Sequence, residues 1–298
     1  MPFNTATKKT STDGLHSLTK LDDSKETVMH ITITTLVDNC VYGKNLKGEH
    51  GLSLFVDTGT HRFLFDTGAS NLLLANAQTL GIDLSTVDFV ILSHGHRDHT
   101  GGLEAFLTLN TKARVLAKPN IIYKKFTVRH ENGMPQLPQS MKDRFIFIED
   151  FTEYIPNVFI IPQIAITYEE DTHRRGFFIE KEGETFRDDF SDELAVVIKT
   201  KKGYALLTAC SHLGVTNIIE QLKTHFNLLH LELILGGFHL IKSPKEDIER
   251  VAYYLFDNVK GSVGLCHCTG IEAYPLFQNR LNKQVFYNHT GKEIKLEL

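Results

Sequence analysis

No apolar run in the 298-residue chain approaches the roughly 18 residues that a membrane-spanning helix needs, which predicts a soluble protein with no membrane partner. Cysteine is scarce as well. Four residues, none in a C-x-x-C pair, exclude a scaffold built on disulfides. Charge of one sign is also lacking: 32 basic against 36 acidic side chains give a formal net charge of −4. That balance argues against a general nucleic-acid coat, so no nucleic-acid partner is expected. Residues 1–27 lack the apolar stretch of a secretory signal, and Asp13, Asp22, Asp23 and Glu26 suit a mitochondrial presequence poorly. Rich in Thr, Ser, Lys and Asp, this segment reads as a flexible polar tail, and a cytoplasmic location follows by default. What the chain has in excess is histidine, at 15 residues.

Patterned sequence begins near residue 28 and runs to 298 as one domain, and the whole chain's apolar content of 42% is ample for a core. Runs at 30–37, 52–57 and 62–65 have strand character, and 71–80 reads as a helix ended by Gly81. The nearly continuous apolar run 87–92 predicts a strand buried on both faces. A helix at 103–109 and a strand at 113–117 follow. From 119 to 189 prolines and charges break the pattern, which suggests an insertion laid over the core. Regular alternation then resumes. A hairpin spans 194–208, helices are expected at 215–222, 244–256 and 273–281, and strands at 231–235, 263–266 and, last, 284–288. Strands alternating with helices in both halves predict an α/β layered architecture.

The segment His94-Gly95-His96-Arg97-Asp98-His99 stands directly after the apolar run 87–92. Three imidazoles and a carboxylate within six residues, on a loop leaving a buried strand, form a potential cage for a borderline divalent metal. Later segments place further histidines just beyond expected strand ends: Ala209-Cys210-Ser211-His212, Gly236-Gly237-Phe238-His239 and Cys266-His267-Cys268.

With the upstream Phe65-Asp66-Thr67-Gly68, this H-x-H-x-D-H segment resembles the metallo-β-lactamase superfamily. The later histidine segments, with Gly51-Leu52-Ser53 and Thr100-Gly101-Gly102, are similar to one branch of it. That branch includes dihydropterin–ribofuranosylaminobenzene 5′-phosphate synthases and proteins described as metal-dependent hydrolases. The resemblance implies an αββα sandwich with the metal site at one edge of the two sheets. It further implies that His94 and His96 bind one metal, that Asp98, His99 and His267 bind a second, and that Asp66 supports the histidine loop. One departure stands out. Where many relatives carry a bridging aspartate, this chain reads Ala209-Cys210-Ser211-His212. His212 is expected to replace it as a direct ligand, with Cys210 withdrawn from the metal; Cys210, Asp192 and Glu193 are the other candidates. His239 is expected to contact metal or substrate, while Cys266 and Cys268 read as small buried residues.

Zinc, as one or two ions, fits the histidines; manganese, iron and magnesium remain open. An ion so held is a Lewis acid and a means of activating water, with Asp98 able to orient the water or accept its proton. The expected activity is therefore hydrolysis of a small ester or phosphoester. The branch resemblance adds a synthase-like transferase as the alternative, and a non-catalytic metal-dependent binding protein is the third class. Between Thr111 and His130 the chain carries Lys112, Arg114, Lys118, Lys124, Lys125 and Arg129 with no acid. This stretch reads either as attraction for a phosphate-bearing small molecule or as a solvated face.

Overall fold

The strand Ala195–Thr200 shows how the layers arise. Val196 and Ile198 pack inward with Ile31, Leu54 and Phe65 of a facing sheet, whereas Ala195 and Val197 pack outward with Ile218 and Val251 of two helices. A strand apolar on both faces must be covered on both, and the chain does this twice. The computed structural model describes residues 30–298 except 228. The tail expected at 1–27 lies outside the described residues.

Two seven-stranded sheets face each other. In spatial order the first comprises Glu293–Glu297, His30–Val37, Ser53–Asp57, Arg62–Phe65, Phe89–Ile91, Arg114–Ala117 and Phe145–Phe147. The second comprises Val285–Tyr287, Ser262–Leu265, Leu231–Gly236, Gly203–Leu207, Ala195–Thr200, Val158–Ile161 and Thr152–Ile155. Helices Leu72–Thr79 and Leu103–Leu109 bury Leu73, Ala77 and Phe106 against the outer face of the first sheet. Val215–His225, Lys245–Asn258 and Tyr274–Leu281 cover the second. The result is the αββα sandwich. Strands 62–65, 89–91, 114–117 and 145–147 run parallel, as do 203–207, 231–236, 262–265 and 285–287. Parallel strands gather their carboxyl ends on a common edge, where α/β sheets display ligand-binding loops.

Two readings of the sequence need correction. The stretch 119–189 is not one insertion over the core: Phe145–Phe147 extends the first sheet, while Thr152–Ile155 and Val158–Ile161 form one edge of the second. These strands have three or four residues each, and Phe145–Phe147 and Thr152–Ile155 lie at sheet edges; all are too short to show a period against their prolines and charges. Within the same stretch, Lys124–Thr127, Phe177–Lys181 and Glu184–Arg187 form a separate three-stranded sheet. Nor is 284–288 the last strand. Glu293–Glu297 pairs antiparallel with His30–Val37 and closes that edge; its Glu-Ile-Lys-Leu-Glu alternation is the half-solvated pattern of an edge strand.

The small sheet is fastened to the metal-motif loop by charge. Lys125 is buried, with Nζ 2.7 Å from Asp188 Oδ2 and 2.9 Å from Asp192 Oδ1. Burial opposes its charge, but Asp192 and Asp188 hold its pKa above the usual lysine value. Asp192 Oδ2 in turn accepts from the backbone N–H of Gly95 at 2.7 Å. Lys125→Met leaves two buried carboxylates without their cation, and is expected to cost about 3–5 kcal/mol in chemical denaturation. A loss under about 1 kcal/mol would mean that the fastening contributes little.

Candidate metal centre

The loop 94–99 begins where Phe89–Ile91 ends, and its shape is set by what surrounds it. Asp66 is fully buried and accepts from Ser93 N at 2.8 Å and Ser93 Oγ at 2.7 Å, while its Oδ2 lies 2.7 Å from His99 Nδ1. The next residue, Thr67, donates its N–H to His99 O at 2.7 Å and its hydroxyl to the same oxygen at 2.9 Å. Gly95 is required between two histidines, because a Cβ there would meet Lys125 Cε at 2.9 Å and the Ile121 carbonyl at 3.0 Å. From His96 the chain turns into the short helix Arg97–Thr100.

Among the described residues three groups of donor atoms converge, the atoms of each group within 4.8 Å of one another: His94, His96 and His212; Asp98, His99, Cys210 and His267; and Cys210, His239 and Cys268. The first two adjoin, since the His94 ring lies 4.4 Å from that of His99 and 5.1 Å from that of His212. Among the described residues, Nε2 of His94, His96, His212 and His267 is buried with no hydrogen-bond partner. An orphaned buried polar atom costs about 1–3 kcal/mol, so three in the first group and one in the second call for Lewis acids at these two adjoining groups. Three of the opposite nitrogens are engaged: His94 Nδ1 with Ser93 Oγ at 2.9 Å, His212 Nδ1 with the His173 carbonyl at 3.0 Å, and His267 Nδ1 with Asn39 Oδ1 at 2.9 Å. Such partners fix ring orientation and leave Nε2 free to bind metal. The residues present therefore fit a divalent ion of the zinc type. Strain gathers here too: Asp66, Phe190, Ser211, His239 and His267 all have positive φ despite their side chains.

Electrostatics support the same fit. Burial, reinforced by neighbouring imidazoles, holds His94, His96 and His212 well below the usual histidine range, so their lone pairs are available. Burial works against ionised Asp98, but His99 and His267 outweigh it and keep this carboxyl well below its ordinary value. Against burial, Asp98 and Asp66 push His99 up to about 10. These carboxylates favour a cation at this point.

All the histidines singled out from the sequence reach the region, but two expectations change. His212 joins the group of His94 and His96, and Cys210 is not withdrawn: its Sγ lies 3.2 Å from His99 Nε2. The two residues belong to different groups, so neither substitutes for the other. Cys266 is buried in the core as expected, whereas Cys268 belongs to the donor group with His239 and Cys210. Asp192 and Glu193 lie in none of the groups. Asp192 holds Gly95, and Glu193 accepts from the N–H of His212 and Leu213, each at 2.7 Å. Burial, only partly offset by those amides, pushes Glu193 up to about 7. Three bases of the basic stretch are engaged elsewhere: Lys125 is paired internally, Lys124 pairs with Glu180, and the Lys118 ammonium bonds the Pro162 carbonyl.

Several residues escaped sequence reading. Asp38, after the first strand, accepts from the N–H of His267 at 2.9 Å. Phe190 stacks on His212 at 3.9 Å, and Phe177 of the small sheet lies 5.0 Å from His96 and 5.8 Å from His239. The one local signal is the polar Asp38-Asn39 pair directly after the run 30–37, which could have pointed to Asp38; nothing in the sequence marks Phe177 or Phe190. Asp66→Ala removes the partner shared by Ser93 and His99, and is expected to weaken metal affinity by about 10–100-fold, read by competition with a chelating dye. Unchanged affinity would assign Asp66 to folding alone.

Comparison with known proteins agrees with this architecture. Residues 46–186 match the family model of the metallo-β-lactamase superfamily. A crystal structure described as a metal-dependent hydrolase of the β-lactamase superfamily is 31% identical, with a TM-score of 0.79, covering 89% of this chain and 98% of that one. The 7,8-dihydropterin-6-methyl-4-(β-D-ribofuranosyl)-aminobenzene-5′-phosphate synthase of Methanocaldococcus jannaschii is 27% identical over 90% of this chain and 97% of its own. The metallo-β-lactamase fold protein YhfI of Bacillus subtilis, 13% identical with a TM-score of 0.54 over 90% of this chain and 99% of its own, shares the fold. Among the described residues no helix is long and apolar enough to cross a membrane.

Proposed function

The chain belongs to the metallo-β-lactamase superfamily, and on that premise we propose that it is a metal-dependent hydrolase directing an activated water at a small ester or phosphoester. The observation that carries this reading is the convergence of four buried, unpartnered Nε2 atoms beside Asp98 and Cys210. His94, His96 and His212 would hold one ion, and Asp98, His99, Cys210 and His267 another; imidazole with thiolate suits zinc. A divalent ion bound there supplies Lewis acidity and lowers the pKa of water to about 7.

The chain's own groups do the rest. Ser93, Asp66, Asn39 and the His173 carbonyl fix which nitrogen of the His94, His99, His267 and His212 rings faces the centre. Asp98, held ionised, orients water and can accept its proton. Phe177 and Phe190 present apolar faces to His96 and His212 and exclude bulk water from that side. His239, its Nδ1 buried without a partner and its ring 4.3 Å from that of His212, is the group placed to contact substrate. A phosphate-bearing substrate would be recognised by the centre itself rather than by the basic stretch.

The relative from Methanocaldococcus jannaschii supports a second reading, a transferase joining a pterin to an aminobenzene ribose phosphate. The zinc-loaded protein is to be assayed against aryl esters, lactones and bis(4-nitrophenyl) phosphate. Turnover that chelation abolishes supports the hydrolase. Release of diphosphate only when a pterin diphosphate and the aminobenzene ribose phosphate are both present would replace it with the transferase. Tight ligand binding without turnover would leave a binding protein.

A further inference from the structure

His50 stands at the solvent edge of the second donor group. Its side chain is 64% exposed, its Nε2 lies 3.4 Å from Asp98 Oδ2, and its ring lies 4.9 Å from that of His267. Asn39 determines which proton it carries. The Oδ1 of Asn39 faces the backbone N–H of Gly51 at 3.3 Å and Nδ1 of His267 at 2.9 Å. The amide nitrogen of Asn39 is thereby turned to His50 Nδ1 at 3.1 Å. An amide nitrogen only donates, so His50 Nδ1 is the bare acceptor and the ring proton sits on Nε2.

One carboxamide thus sets two neighbouring imidazoles in opposite tautomers. His267 donates from Nδ1 and presents a bare Nε2, as a metal ligand must. His50 presents Nε2–H, which has no lone pair with which to coordinate metal. At 3.4 Å from Asp98 this donor is also beyond the ordinary N–H···O range, so its hydrogen bond is left unused at the mouth of the centre.

Resting on the metal-centre reading above, we infer that His50 is a substrate-binding residue whose Nε2–H donates to a phosphoryl or carbonyl oxygen of a molecule held at the Asp98, His99, Cys210 and His267 group. Asn39 is its positioning residue. The ligand class is set by the donor: an oxygen acceptor brought beside the second ion.

The test uses the zinc-loaded full chain and three readouts: metal per chain, melting temperature, and inorganic phosphate affinity by calorimetry. His50→Phe keeps the ring packing on His267 but has no donor. It is expected to retain metal content and melting temperature and to bind phosphate about tenfold more weakly, as for one lost hydrogen bond to a charged acceptor. His50→Gln, whose amide N–H restores a donor, is expected to recover to within about threefold. With bis(4-nitrophenyl) phosphate, His50→Phe is expected to raise KM more than it lowers kcat. Unchanged phosphate affinity in His50→Phe, no recovery in His50→Gln, or a wild-type protein that holds metal but not phosphate would each overturn the inference. Metal lost from His50→Phe would instead make His50 a ligand. A wild-type chain that takes up no metal would sink the metal-centre reading itself, and this inference with it.

Discussion

His96→Ala is expected to lower metal affinity at the first group by more than about a hundredfold and to abolish metal-dependent turnover while leaving the sandwich folded. The size follows from position: loss of an outer partner already costs about 10–100-fold, and His96 offers its nitrogen directly alongside His94 and His212. The fold should survive because His96 lies on a loop beyond the strand end and supports no sheet pairing inside the sandwich. Its ring does pack 5.0 Å from Phe177 and 5.4 Å from Phe190, so a stability loss of about 1–3 kcal/mol is expected from the space left behind. Metal per chain by atomic emission, with far-ultraviolet circular dichroism as the fold control, decides the matter. A folded variant that keeps its full metal complement would remove His96 from the centre.

The sequence made the centre legible where its parts are local. His94, His96, Asp98 and His99 fall within six consecutive residues after one apolar strand, so spacing alone gathers them. His212, His239 and His267 were legible through a weaker signal, a histidine just past each expected strand of a parallel set, because parallel strands bring their ends to one edge. What stayed hidden is whatever depends on pairing across the chain. Asn39 meets His267 over 228 positions, and Gly95 meets Asp192 over 97. Neither contact has a period or a motif. Asp192 and Glu193 were noticed only as acids that could serve as ligands; the structure uses them to accept from backbone amides, and Asp192 also to pair with Lys125, roles that no motif in the sequence marks. Likewise the layered fold was readable from alternating strands and helices. The short strands Phe145–Phe147 and Thr152–Ile155 were not, since their stability comes from their neighbours in the sheet rather than from their own composition.

The remaining large effect separates Cys210 from His212. Ser211, between them, has φ of 54°, and this turn at the strand end sends the two side chains to different groups rather than to one face. Cys210 Sγ stands among Asp98, His99 and His267, and His212 Nε2 among His94 and His96. Each variant is therefore expected to empty a different half of the centre. His212→Ala should cost the first group more than about a hundredfold in affinity. Cys210→Ser should weaken the second by about 10–100-fold, because a hydroxyl replaces a thiolate donor suited to zinc. Cobalt substitution distinguishes the two directly. The sulfur-to-metal charge-transfer band in the near ultraviolet should vanish in Cys210→Ser and persist in His212→Ala. A wild-type cobalt protein without that band would show that the thiol does not bind the ion. Equal loss of both ions in both variants would mean that the two groups fill as one unit.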